Sequence, residues 1–172
     1  PFVTSVPDGK AVILISGIPS DMNYAQFARE IATVRKPGVR VIGPNCMGVF
    51  AAPGSGKQGV NTLFIEENRM YIPLSERSNT ALLTQSGAMS ITCIERNQYT
   101  AIFRNIVSFG NKADVNIPDL VAHFQADPKI DVISIYVEGI GAGEGRQFYN
   151  LLRTSGKPVI VYKSGRTEAG AK

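Results

Sequence analysis

Apolar residues along this chain come in short runs, separated by stretches in which they recur at every third or fourth position. The run at 11–15 reads as a buried strand; the turn "SGIPSD" follows it, and Ala25, Ala28, Ile31 and Ala32 then fall on one helical face. Ser20 or Asp21 offers that helix a cap, and Gly38 an end. "RVIGP" at 40–44 starts a second strand before "GPNCMG", completing a β-α-β unit that requires a parallel sheet. From Val49 to about Asn68 Gly, Pro, Ser and Asn crowd together, which predicts a boundary between a unit at 1–66, linker included, and another at 67–172. Beyond it, strands at 80–84, 105–109, 131–137 and 158–163 alternate with helices at 87–98, 117–126 and 145–154. Asn116 with Pro118 in the first turn marks a helix start, and "DP" at 127–128 a stop. Such alternation predicts the α/β class, with a doubly wound parallel sheet covered by helices on both faces.

Composition narrows the function more than the fold. A chain of 172 residues with 44% hydrophobic content can bury a core of its own. Its apolar runs fall well short of the roughly 20 residues of a membrane span, and no signal segment opens it, so no membrane partner and a cytoplasmic location are expected. The net charge of +4 is scattered, without basic runs or interleaved aromatics. That predicts no nucleic-acid partner and is compatible with an anionic small ligand. Cys46 and Cys93 lack metal-ligand spacing and have one potential imidazole partner, His123, so no metal site and no disulfide are expected. The opening "PFVTSVPDGK" has no initiating Met, as a piece of a longer protein would.

In an open parallel sheet ligands sit beyond the carboxyl ends of the strands, where loops converge and helix N-termini aim free N–H groups inward. The loops predicted there are "TQSGA", "SFGNKAD", "YVEGIGAGEG" and "YKSGRTEAG", each with Gly and a polar or charged group. "LLTQSGAMSITC" at 82–93 runs from a strand straight into a helix. A hydrolase elbow, G-x-S-x-G, fails because Thr84 and Ala88 occupy both glycine positions. Ser86, Gly87 and Ala88 at a helix start instead offer backbone N–H groups and a hydroxyl to an anion, phosphate being the natural occupant. "PGSGKQG" at 53–59 is not a phosphate loop, since Ala51 and Gln58 break the pattern, and "EGIGAGEG" gives no dinucleotide fingerprint in any register. His123, with Asp119 four residues before it, reads as a structural histidine. Cys46 is either a buried turn residue or part of a site. Glu138 ends an otherwise apolar strand and is either solvated at the sheet rim or placed to meet a cation or imidazole.

The segments "SGIP", "GPNCMG", "LLTQSGA", "SFGNKADV", "YVEGI" and "GKPVIVYKSGRTEAGAK", in this order and spacing, closely resemble NDP-forming acyl-CoA synthetases of the ADP-forming acetyl-CoA synthetase type. They resemble more distantly the α subunit of succinyl-CoA synthetase. The resemblance implies that 1–66 is the C-terminal part of a Rossmann-like CoA-binding domain plus linker, and 67–172 a flavodoxin-like ligase domain. It implies a reversible joining of a small carboxylic acid to coenzyme A, driven by ATP, through an acyl phosphate and a phosphorylated histidine. ATP or ADP with Mg2+ would bind an ATP-grasp domain or β subunit outside this chain, in an oligomeric assembly.

By the same resemblance Gly17, Ile18, Pro19, Asn45 and Cys46 lie near the pantetheine end of CoA, and Ser86, Gly87 and Ala88 receive the phosphohistidine. Glu138 matches the glutamate that hydrogen-bonds the other ring nitrogen of that histidine. The histidine itself is expected a few residues beyond Lys172, and a Gly-rich CoA-phosphate loop before Pro1. A CoA- or nucleotide-sensing regulatory domain of a protein lysine acetyltransferase, without ligase activity, is the competing reading. An unrelated flavodoxin-like binding protein is a third.

Overall fold

The structure, a computed structural model, describes residues 6–165 apart from 8, 55, 57 and 142. Strand β1 (Ala11–Ile13) and strand β2 (Arg40–Ile42) pair in parallel, with Val12 opposite Val41, and helix α1 (Tyr24–Val34) connects them. Their small core is Val12, Ile31, Val39 and Val41, with Leu14 and Phe27 against it. The cap of α1 is Asn23, not Ser20 or Asp21. Its side chain accepts from the Gln26 N–H while Gln26 returns a carbonyl to the Asn23 N–H, a reciprocal box that satisfies two orphan donors. The helix stops at Val34, and Gly38, at φ 81°, serves the turn before β2 instead of the helix end.

The second sheet has six strands in the order β4-β3-β6-β5-β7-β8. Strands β5 (Thr80–Thr84), β6 (Phe103–Ser108), β7 (Val132–Val137) and β8 (Val159–Lys163) are mutually parallel, joined by helices α2 (Gly87–Thr100), α3 (Ile117–Ala126) and α4 (Glu144–Arg153). The α/β class and helices on both faces are therefore present. Strand β5 is buried along its whole length. Ala81 and Leu83 join the core under α3 and α4 with Ile133, Ile135 and Phe148, whereas Leu82 faces Ile94 of α2 on the other side. Each of the larger side chains among these, Leu, Ile or Phe, contributes roughly 1.5–3 kcal/mol relative to exposure.

Residues expected to be linker are partly sheet. Strand β3 (Gly48–Ala51) runs antiparallel to β6 and to the short β4 (Val60–Asn61), making the sheet mixed. Gly48 sits at φ 104°, and a Cβ there would run into the Thr62 carbonyl. The glycine thus permits a close backbone approach, which composition alone reads as loop texture.

The two sheets are joined by the segment after β6. The N–H groups of Asn111, Ala113 and Val115 donate to the carbonyls of Pro44, Gly43 and Val41. Asp114 accepts from the Val41 N–H at 2.7 Å and from Arg40 Nε at 3.1 Å, and Arg40 reaches Asp119 at 2.7 Å. Burial alone would lower the pKa of Arg40, but its bonds to Asp114 and Asp119 outweigh that and raise it. Asp119 thus serves Arg40, while His123 is exposed and packs edge-on against Phe124.

Candidate functional site

Chain order reverses between β5 and β7: the connection from β5 leads to β6 on one side, and the chain then crosses to β7 on the other. At such a switch point the two following loops diverge and leave a crevice beyond the carboxyl ends of the strands. Gln85 and Ser86 leave β5 here, and Glu138 leaves β7. A cleft of about 370 Å³ lies at this point, and its wall includes Ser86, Gly87 and Glu138 together with Asn45 and Cys46 from the turn after β2. Five of the nine residues singled out in the sequence therefore share one cavity wall.

The start of α2 is arranged by local hydrogen bonds. Ser86 is its N-cap, with Oγ accepting from the Met89 N–H at 3.3 Å. The Thr84 hydroxyl accepts from the Ser86 N–H at 3.2 Å and donates to the Ser86 carbonyl, so this amide is not free for a ligand. The N–H groups of Gly87 and Ala88 have no partner among the described residues. The cradle is therefore two amides and a hydroxyl, one amide fewer than expected, at the positive end of a 14-residue helix. Ala88 lies one residue along from the cleft wall and is exposed. Gly87 faces Met47, whose Cγ would lie 2.8 Å from a Cβ added there.

Asn45 adopts φ 56°, and its N–H donates to the Ser16 carbonyl at 2.8 Å while its side chain reaches Asn111 at 3.4 Å. Gly110 (φ 55°) comes so close beneath this turn that a Cβ would meet the carbonyls of Pro44 and Asn45. Cys46 is buried, donates to the Leu14 carbonyl at 3.2 Å and also borders the cleft, so the two sequence readings of it are compatible. Burial pushes its thiol pKa up, against smaller opposing backbone hydrogen bonds at Gly48 and at Cys46 itself. Gly17, Ile18 and Pro19, in the loop after β1, are not brought into the cleft wall; Gly17 and Pro19 are exposed and Ile18 is half-buried.

Sequence reasoning missed several residues here. Ile15, Met47 and Phe64 form an apolar side of the cleft, and Asn111 and Gln85 add amides. Gln85 Oε1 accepts from the N–H groups of Glu138 and Gly139 at 2.9 and 3.1 Å. Behind the cleft, Lys112 and Glu144 form a buried ion pair at 2.8 Å, their side chains 8% and 9% exposed. Glu144 also accepts from the Ile117 and Gly141 N–H groups. The loops carrying these residues were legible from their glycines, but nothing in the spacing distinguishes Glu144 from an ordinary first-turn acid.

Residues 77–172 match the family described as succinyl-CoA ligase like flavodoxin domain. The chain belongs to this family. The succinyl-CoA ligase-like chain is 32% identical over 167 residues to acetate–CoA ligase [ADP-forming] II of Archaeoglobus fulgidus, which covers 94% of it and 23% of that protein. It is 37% identical over 149 residues to the α subunit of acetate–CoA ligase [ADP-forming] I of Pyrococcus furiosus, covering 83% of this chain and 29% of that one. It thus spans under a third of either relative. Among solved structures it superposes on the dinucleotide-forming acetyl-coenzyme A synthetase 1 of Ca. Korarchaeum cryptofilum, solved with phosphate and ADP, with a TM-score of 0.76 and 31% identity. That match covers 98% of this chain and 40% of the other. These relatives are acid–CoA ligases, and the reading as a lysine acetyltransferase regulatory domain finds no support among them. Among the described residues no helix is long and apolar enough to cross a membrane.

Proposed function

We propose that this chain is the CoA-handling and phosphoryl-receiving part of a cytoplasmic, NDP-forming acid–CoA ligase. In the thioester-cleaving direction, phosphate attacks the acyl-CoA carbonyl, the C–S bond breaks and CoA leaves as thiol, giving an acyl phosphate. A histidine imidazole then takes the phosphoryl group and releases the carboxylate, and ADP finally accepts the phosphoryl to become ATP. The nucleotide and its Mg2+ belong to an ATP-grasp domain or β subunit, and the working unit is an oligomer.

The observation that carries this reading is the meeting, at one cleft, of the start of α2 with an exposed carboxylate: Ser86 and Gly87 share the wall with Glu138, and the Ala88 amide, like that of Gly87 without a partner among the described residues, follows one position along. The N–H groups of Gly87 and Ala88 and the Ser86 hydroxyl would donate to phosphoryl oxygens, each charge-assisted bond contributing about 1.5–3 kcal/mol, more than the helix dipole's 0.3–1. Glu138 would accept the proton on the other imidazole nitrogen, fixing which nitrogen carries the phosphoryl group and stabilising the ring as its positive charge develops. Asn45 and Cys46, on the side contributed by the first sheet, would border the thiol end of CoA, with Gly17, Ile18 and Pro19 further along the same chain. The apolar side made by Ile15, Met47 and Phe64 suits an acyl chain or the pantetheine arm. We place the division between the two units at the turn 43–47, since β3 already belongs to the larger sheet.

The test uses the full-length protein with its ATP-grasp partner, acetyl-CoA and radiolabelled phosphate. An acid-labile, base-stable phosphoryl label on the protein is expected, reduced on the order of 100-fold in Glu138→Gln. Absence of label in the unaltered protein, or an undiminished label in the variant, removes the assignment.

A further inference from the structure

The turn that presents Glu138 is exposed and contains Gly139 and Gly141, so by composition it should be loose. Its backbone groups are instead taken up by side chains from four separate elements. Gln85, at the end of β5, accepts from the Glu138 and Gly139 N–H groups through one oxygen. Lys112, in the loop after β6, donates from Nζ to the Gly139 carbonyl at 2.7 Å. Glu144, opening α4, accepts from the Gly141 N–H at 2.7 Å and holds Lys112 in place. Lys163, ending β8, donates to the Glu138 carbonyl at 2.8 Å.

We propose that Gln85 and Lys112 are positioning residues for Glu138, an inference that rests on the phosphoryl-transfer reading above. Gln85 immediately precedes Ser86, so one residue fixes both receivers: its backbone leads into the amide cradle and its side chain sets the carboxylate-bearing turn. The Gln85 side chain thus ties the start of α2 directly to the turn that bears Glu138. Lys112 adds a link to the first sheet. Its residue sits at φ 58°, its Nζ fixes Gly139, and its carbonyl accepts the Tyr24 hydroxyl from α1 at 3.0 Å. The Glu138 turn is thereby referenced to the unit that would carry CoA. Partial desolvation, with the charge of Glu144 adding to it, raises the pKa of the Tyr24 hydroxyl.

A merely structural role and a positioning role predict different kinetics. In the full-length protein with its ATP-grasp partner, Gln85→Met and Lys112→Met should each slow labelling from acetyl-CoA and radiolabelled phosphate by about 10- to 100-fold, the cost of ångström-scale misplacement. Apparent KM values for acetyl-CoA and phosphate should stay within about twofold. Combined with Glu138→Gln, neither substitution should slow the reaction further by more than about twofold, because the group it positions is already disabled. Near-ultraviolet circular dichroism and a cooperative thermal transition like those of the unaltered protein show that each variant is folded. Full-rate Gln85→Met and Lys112→Met beside a slow Glu138→Gln overturn the positioning role and leave the phosphoryl reading standing, as does multiplication of effects in the double variants. A full-rate Glu138→Gln overturns both.

Discussion

Replacing Glu144 with Leu would test the buried pair behind the cleft. With Glu144 gone, the Lys112 ammonium, 8% exposed, keeps only the Gly139 carbonyl at 2.7 Å, and the N–H groups of Ile117 and Gly141 lose their acceptor. An uncompensated buried charge of this kind costs about 3–5 kcal/mol. The reverse change, Lys112→Met, removes the ammonium's bonds to Glu144 and to the Gly139 carbonyl, but Glu144 keeps two N–H donors and the carbonyl lies in an exposed turn where water replaces the donor, so the net cost should be about 1.5–3 kcal/mol. For a chain of this size each kcal/mol moves Tm by roughly 2–4 °C, which gives roughly 6–20 °C for Glu144→Leu and 3–12 °C for Lys112→Met. The double variant should cost less than the sum of the two, since no buried charge is left unpaired. Calorimetry of the three variants at neutral pH checks this. If Glu144→Leu loses less than Lys112→Met, or if the two effects add, the pair is not the anchor described.

Gly87→Ala should destabilise by about 1–3 kcal/mol because its Cβ would press on Met47 Cγ at 2.8 Å; adding Met47→Ala should recover part of that loss in urea unfolding, and no recovery would mean the contact is not the cause. Burial raises the thiol pKa values of Cys46 and Cys93. Above about pH 8.5 the unfolded thiols lose protons before the folded ones do, so stability present below that pH should fall as pH rises. Urea unfolding at pH 7.5 and 9.5 should show this fall reduced in Cys46→Ala, and an equal fall in both proteins would contradict it.

Much of the fold was legible because β5, β7 and their helices obey simple periods. "TALLT" and "VISIYV" are apolar runs bounded by turn residues, and Asn116 with Pro118 marks the start of α3, to which the structure adds the Asp119 return bond. What escaped was decided by backbone proximity. In a row of letters Gly48 looks like turn and Gly59 like linker, but Gly48 lets the chain pass against the Thr62 carbonyl, so that β3 and the edge strand β4 extend the sheet. Asn23 outcompeted Ser20 and Asp21 as cap because Gln26 returns a bond three residues later, a pairing visible only when the helix start is shifted.

The candidate site divided the same way. Ser86, Gly87 and Glu138 could be found from strand-end logic, since the switch point brings the ends of β5 and β7 together whatever the intervening sequence. Gln85 could not, because its role depends on a side chain crossing between two strands 53 positions apart in the chain. The engagement of the Ser86 N–H by Thr84 likewise follows from a turn geometry that residue identity does not specify.

The most direct measurement of the central claim is amide NMR of the 15N-labelled protein titrated with N-phosphoimidazole, with imidazole as control. Saturable shifts at the Gly87 and Ala88 amides, with smaller ones at Glu138 and none of comparable size from imidazole, are the predicted result. Shifts confined to residues outside this cleft, or Gly87 and Ala88 signals that do not move at saturation, would contradict it.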